Sequence, residues 1–222
     1  MTKDTALVLG ATGLVGSELM ARIHTYYKRV IVLSRRPVIV PFPNVEVHTI
    51  DFDRIDQYAA LFQAEDVFCC LGTTIKQAKS KEAFRKVDYI YPLQAGKLSA
   101  AAQVRSFTII TAMGSSPKSA FFYSRVKGDL ETGLQALPLR ALHIVRPSLI
   151  IGARQEFRLG ERAAAAISPL LSPILRGPLL KYRPIQASII AEAMLYAASS
   201  GLGGTHIYPS DQLCSMAAQL NK

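Results

Sequence analysis

Tyr123 precedes Lys127 by four residues in the stretch FFYSRVKGDLE, residues 121 to 131. On a helix that interval is about one turn, so both side chains share a face. A phenol beside an ammonium is an acid/base device, because the cation favours the phenolate and draws the tyrosine pKa down from about 10. The same spacing occurs on ordinary solvated helix faces. The elements around the pair must decide between the two readings.

A second stretch, VLGATGLVGSEL, sets Gly10, Gly13 and Gly16 at a G-x-x-G-x-x-G spacing. It lies between an apolar run, ALVL (6 to 9), and a helical stripe over 15 to 26 carrying Leu19, Met20 and Ile23. In a strand–turn–helix unit such glycines make a tight turn, let a pyrophosphate approach the backbone, and pack helix on sheet. The helix N-terminus then offers free N–H groups to the anion. Thr12, Leu14 and Val15 belong to the same expected dinucleotide cradle.

The next run, VIVLS (30 to 34), supplies a test of cofactor type. An NAD site usually carries Asp or Glu near this strand end, to hold the ribose 2′-hydroxyl. Here the chain reads VLSRRP, with no carboxylate. Ser34, Arg35 and Arg36 suit a 2′-phosphate, arginine offering a planar fork. The expectation is NADP(H) in preference to NAD(H). At the end of VEVHTI (45 to 50), Asp51 is placed to accept from an adenine amino group and Phe52 to flank the ring. Asp51 reads equally well as a turn residue. After DVFCCLG (66 to 72), the LGTT segment brings Leu71, Gly72, Thr73 and Thr74 to a strand end, where ligands bind in open α/β sheets.

These elements alternate along the chain. Residues 55 to 63 look helical, 81 to 102 form a long helix with a bend expected at Pro92, and 107 to 111 a fifth strand. Residues 121 to 136 form the helix bearing Tyr123 and Lys127, and 141 to 146 a sixth strand. Residues 189 to 199 and the tail look helical, with THIY (205 to 208) as a short last strand. Near-continuous apolar strands alternating with helices predict an α/β fold: a Rossmann-like, doubly wound parallel sheet covered on both faces. One NAD(P)-binding domain over 1–222 is expected, with 152–188, rich in Pro, Gly and Arg, as an irregular C-terminal substrate or lid segment. Within it, AAAAISPLLSPILRGPLL is expected to form a lid or subunit contact, the latter building a homodimer, or else to pack as an irregular part of the core.

Composition bounds the rest. The chain has 222 residues, half of them apolar and 19% charged, which is globular rather than disordered. A formal net charge of +10 favours anionic partners without choosing among them. Lys76, Lys79, Lys81, Arg85 and Lys86 form either a phosphate-facing patch or a solvated helix face. They lack interleaved aromatic residues and any nucleic-acid-binding module, so no specific nucleic acid is expected. The three cysteines and four histidines show neither a disulfide framework nor metal spacing, so no metal is expected. That usage, and an N-terminus entering a strand almost at once, fit a reducing, cytoplasmic setting. The apolar stretch at 163 to 175 is short and broken by Pro169 and Pro173, so no membrane span is expected.

The motifs GATGLVG, CCLGTT, FRKVD, YSRVKGDLE and RPSLIIGARQEFRLGE occur in that order over nearly the whole chain. With them the chain resembles the short-chain dehydrogenase/reductase superfamily, in particular the atypical group of Tat-interacting-protein-like oxidoreductases. The resemblance implies a Rossmann-like sheet, NADP(H), a small carbonyl or alcohol substrate, and a Ser/Thr–Tyr–Lys catalytic set. It carries the hydroxyl role to Thr111, with Ser115 as a rival, and the acid/base and ribose-holding roles to Tyr123 and Lys127. It also carries cofactor contacts to Arg146, Pro147 and Ser148. Many relatives have Ser where this chain has Thr111. The same resemblance admits a catalytically weak, cofactor-gated interaction protein.

Overall fold

The computed structural model describes residues 3–152 and 182–220. Most of the expected lid segment, the AAAAISPLLSPILRGPLL stretch included, lies outside these residues. Alternation along the strands builds two cores. In β1 (Lys3–Leu9), Ala6 and Val8 face one core while Leu7 and Leu9 face the other. β2 (Tyr27–Ser34), β4 (Asp66–Cys69), β5 (Ser106–Ile110) and β6 (Ala141–Arg146) likewise contribute to both. A strand buried on both faces needs apolar residues on both, which is why these segments read as unbroken apolar runs.

With β3 (Val45–Thr49) and β9 (Gly204–Pro209), the strands form a seven-stranded sheet in the order β3-β2-β1-β4-β5-β6-β9. Every neighbouring pair is parallel. The first core lies against α1 (Leu14–Ile23), α6 (Ala187–Ser199) and α7 (Ser210–Leu220). The second lies against α4 (Tyr91–Ala101) and α5 (Phe122–Gln135). A separate parallel pair, β7 (Ile150–Ile151) with β8 (Ile185–Gln186), follows β6 and was not apparent from the sequence. The strand order reverses between β1 and β4, which opens a crevice beyond their C-terminal ends.

Two local expectations need correction. The segment expected as a helix at 55 to 63 is a 3₁₀ run, Phe52–Phe62, with non-helical backbone at Arg54 and Tyr58. The long helix expected over 81 to 102, with a bend at Pro92, is instead interrupted one turn before that proline. There α3 (Lys81–Arg85) passes through a π turn (Lys86–Ile90) into α4, and the Tyr91 N–H reaches back five residues to the Lys86 carbonyl. Proline at 92 cannot donate to the carbonyl four residues before it, and the wider turn accommodates that loss. The π turn contains Asp88.

Candidate active site

The glycine turn is shaped by what surrounds it. Gly10 has a φ of +82°, and a Cβ there would lie 2.6 Å from the Cys70 carbonyl carbon and oxygen. Both the left-handed backbone and the exit of β4 therefore demand glycine. The Gly13 N–H donates to the Gly10 carbonyl at 3.0 Å, and a Cβ on Gly16 would come within 2.1 Å of that same oxygen. Helix α1 thus starts directly on the turn. Its cap residue, Gly13, provides no side-chain hydrogen bond, so the first-turn N–H groups face outward for an external acceptor. This is the geometry a pyrophosphate would fill.

Two adjoining cavities continue from the turn. One, of about 700 Å³, is walled by Gly10 to Gly13, Leu33 to Val38, Phe52 and Tyr91. The other, of about 420 Å³, is walled by Gly13 to Val15, Ile110 to Met113, Tyr123, Lys127 and Pro147 to Ile150. Cys70 to Thr73 and Gln77 line both. The result is a groove across the strand ends from β2 to β6, centred where the strand order reverses.

Tyr123 and Lys127 meet in the second cavity, but their surroundings differ. Tyr123 is 38% exposed, whereas Lys127 is 3% exposed. The helix holding them is pressed close to the loop before it, since a Cβ on Gly128 would lie 2.2 Å from the Ser116 carbonyl carbon. The Lys127 ammonium pairs with Asp88 Oδ1 at 2.8 Å, and Asp88 Oδ2 accepts the Thr73 N–H at 2.8 Å. Burial is the largest single influence and pulls the lysine pKa down, but the charge and hydrogen bond of Asp88, together with Tyr123 and Cys69, reverse it and the net direction is upward. Asp88 was not singled out from the sequence. Its only signal was its place in the FRKVD motif.

Thr111 lines the cavity wall, but its hydroxyl donates to Glu131 Oε1 at 2.6 Å. Its expected role as donor to a substrate oxygen is therefore not available in this arrangement, because a hydroxyl has a single proton to give. The rival, Ser115, donates to the Ala112 carbonyl at 2.7 Å and lies off the wall. Ala112, next along the wall, brings only a methyl group. Arg146 also departs from expectation. Its guanidinium holds Glu131, with Nε at 3.0 and 3.1 Å from the two carboxylate oxygens, and it lines neither cavity. Pro147 and Ser148 do line the second cavity. Ser148 donates to the Arg183 carbonyl and accepts from Ser210 Oγ at 3.0 Å.

At the other end, Ser34, Arg35 and Arg36 line the first cavity together with Gly10, Thr12 and Phe52. The Ser34 hydroxyl donates to the Arg36 carbonyl at 2.8 Å and shapes that turn. Asp51 does not line the cavity. It is exposed and caps the 3₁₀ run by accepting the Asp53 N–H at 2.9 Å, which is the turn role. The neighbouring carboxylate, Asp53, binds Lys86 at 2.7 Å and the Tyr91 hydroxyl at 2.8 Å. Thr74 caps α2 (Ile75–Ala78) by accepting the Gln77 N–H at 3.1 Å and lines neither cavity. Of the basic run, Lys86 and Arg85 are ion-paired, to Asp53 and Asp129, and Lys76 and Lys81 are exposed: a solvated face. Among the described residues no His, Cys, Asp or Glu group could hold a metal ion, and no helix is long and apolar enough to cross a membrane.

The fold and groove define a Rossmann-like α/β protein, and residues 6–116 match the NAD dependent epimerase/dehydratase family. The chain belongs to that family. Among its relatives, the protein HTATIP2 of Rattus norvegicus is 34% identical over 167 residues, covering 72% of this chain and 69% of that protein. The protein FMP52, mitochondrial, of Candida albicans is 28% identical over 230 residues, covering 98% and 100%. Two solved structures share the fold. WbmH of Bordetella bronchiseptica, in complex with NAD+, matches 95% of this chain and 76% of its own at TM-score 0.70 and 13% identity. Human epimerase family protein SDR39U1, with NADPH, matches 98% and 80% at TM-score 0.59 and 17% identity.

Proposed function

We propose that this chain binds NADP(H) in the groove and catalyses hydride transfer to or from a small carbonyl or alcohol, with Tyr123 as acid/base. The observation that carries this is the shared wall: Tyr123 and Lys127 line a cavity continuous with the glycine turn. The nicotinamide would supply the hydride. Gly10, Gly13 and the first turn of α1 would hold the pyrophosphate, and Arg35 and Arg36 a 2′-phosphate. Tyr123 then donates its phenolic proton to the oxygen that gains negative charge, or takes it back in the other direction. Lys127, kept cationic by Asp88, stabilises the phenolate and binds the ribose.

One observation favours a second reading, a cofactor-responsive interaction protein with little turnover. The hydroxyl expected to polarise the substrate oxygen is given to Glu131 instead, and losing one such donor typically costs a hundredfold or more. Reduction of a panel of aldehydes, ketones and quinones by NADPH separates the two. Turnover that disappears in Tyr123→Phe supports the enzyme. Tight NADPH binding with no turnover of any panel member supports the sensor.

A homodimer and a cytoplasmic location belong to the same proposal. The fungal relatives are named as mitochondrial, so cell fractionation is the test of location, and sedimentation of the purified chain is the test of assembly.

A further inference from the structure

Asp88 lies 39 positions before Lys127, on the π turn between α3 and α4, and is 1% exposed. Its two oxygens do different work. One holds the Lys127 ammonium and the other the Thr73 amide, each at 2.8 Å. Thr73 belongs to the exit of β4, the stretch that walls both cavities. Gly72, beside it, would place a Cβ 3.5 Å from Asp88 Oδ1 and 3.9 Å from Lys127 Nζ, so backbone, carboxylate and ammonium are packed together.

We propose that Asp88 is a positioning residue for Lys127, clamping the lysine to the β4 exit so that cofactor ribose binding and the proton-transfer pair share one rigid support. The role in cofactor binding rests on the dinucleotide reading above. The clamp itself rests on the contacts alone.

The groups facing the ammonium are Asp88 from the π turn, Tyr123 from its own helix and Cys69 from β4. Cys69 is buried and its thiol is pushed up to about 12, so it stays neutral. Asp88 is then the one fixed negative charge among these three groups. An asparagine at 88 cannot serve both partners. If its carbonyl oxygen accepts the Thr73 N–H, its NH2 group faces the ammonium. Burial, which disfavours the charged lysine, then loses its principal counterweight, leaving the weaker influence of Tyr123.

The test reads Lys127 directly. In protein labelled with ¹⁵N-lysine, the Nζ signal is assigned by its absence in Lys127→Arg and followed with pH, beside NADPH affinity measured by fluorescence. In the unsubstituted protein Lys127 should remain an ammonium to at least the ordinary lysine range. In Asp88→Asn it should lose its proton about two pH units lower or more. NADPH affinity of that variant should fall at least about tenfold between pH 6 and pH 9, while the unsubstituted protein changes little. An unsubstituted Lys127 that deprotonates well below the ordinary range overturns the proposal, whether or not the variant folds. An Asp88→Asn protein with an unaltered Lys127 titration overturns it too, leaving a merely structural ion pair. If neither NADPH nor NADH binds at any pH while Lys127 titrates as expected, the dinucleotide reading fails and the clamp stands.

Discussion

Thr111 and Glu131, twenty residues apart, meet through a 2.6 Å hydrogen bond in which the threonine hydroxyl donates to the carboxylate. Glu131 is 2% exposed and is also held by Arg146. The hydroxyl at the end of the fifth strand therefore braces helix α5, the helix that carries Tyr123 and Lys127. Thr111→Val keeps the shape and removes the donor, leaving Glu131 with one partner fewer. Urea unfolding should show a loss of about 1 to 3 kcal/mol. NADPH-dependent turnover should change by less than about threefold, because the cost falls on stability rather than on transition-state binding. A hundredfold fall in turnover at unchanged stability would return Thr111 to the catalytic set.

Ala112 lines the cavity beside Thr111, whose hydroxyl is given to Glu131. Ala112→Ser should raise turnover with the carbonyl panel several-fold, because a donor aimed at developing negative charge acts chiefly in the transition state. NADPH affinity should stay within about twofold. Steady-state kinetics on a reactive quinone or aldehyde makes the comparison, and a variant no faster than the parent protein contradicts the idea.

Tyr123→Phe keeps the ring and removes the proton. Turnover should drop on the order of a hundredfold or more while NADPH binding survives. Arg35→Ala with Arg36→Ala should weaken NADPH by at least about tenfold, the loss of a charged hydrogen bond, and leave NADH nearly unchanged. Calorimetric titration of both nucleotides against each variant checks the two expectations together. Equal or tighter NADH binding by the unsubstituted protein would remove the NADP(H) preference.

Gly10 and Gly114 offer a matched comparison. Both have positive φ, +82° and +77°, but a Cβ at 10 strikes the β4 exit whereas one at 114 meets nothing within 4 Å. Gly114→Ala should cost only the conformational penalty, about 1 to 2 kcal/mol. Gly10→Ala should cost clearly more and abolish nucleotide binding. Thermal melts with and without NADPH distinguish them.

His143 is buried under α6, with Nδ1 3.0 Å from the Tyr208 hydroxyl and His206 nearby. Burial, reinforced by His206, lowers its pKa from 6.5 to about 4. The folded state thus favours the neutral ring. The stabilisation is fully present above about pH 6.5 and is lost progressively as the pH falls toward 4. Melting temperatures over this range should decline, and His143→Gln should decline less steeply. Parallel curves would assign the acid sensitivity to other groups.

Much of this protein was legible along the chain. Apolar runs of four to six residues alternating with helical stripes read as central strands, because a strand buried on both faces needs apolar residues on both. The glycine spacing followed from a turn too tight for side chains at Gly10 and Gly16. The four-residue interval put Tyr123 and Lys127 on one helix face by geometry alone. Their immediate partners were not legible. Asp88 reaches Lys127 across 39 positions, and Glu131 takes the Thr111 proton only because α5 packs over the exit of β5. Which way a hydroxyl points at a strand end depends on what covers that face, and a carboxylate finds its cation through helix packing. Such contacts are decided by three-dimensional proximity. A hydroxyl named by its place in a motif became a brace, and an aspartate passed over inside FRKVD became the counter-charge of the site, for that reason.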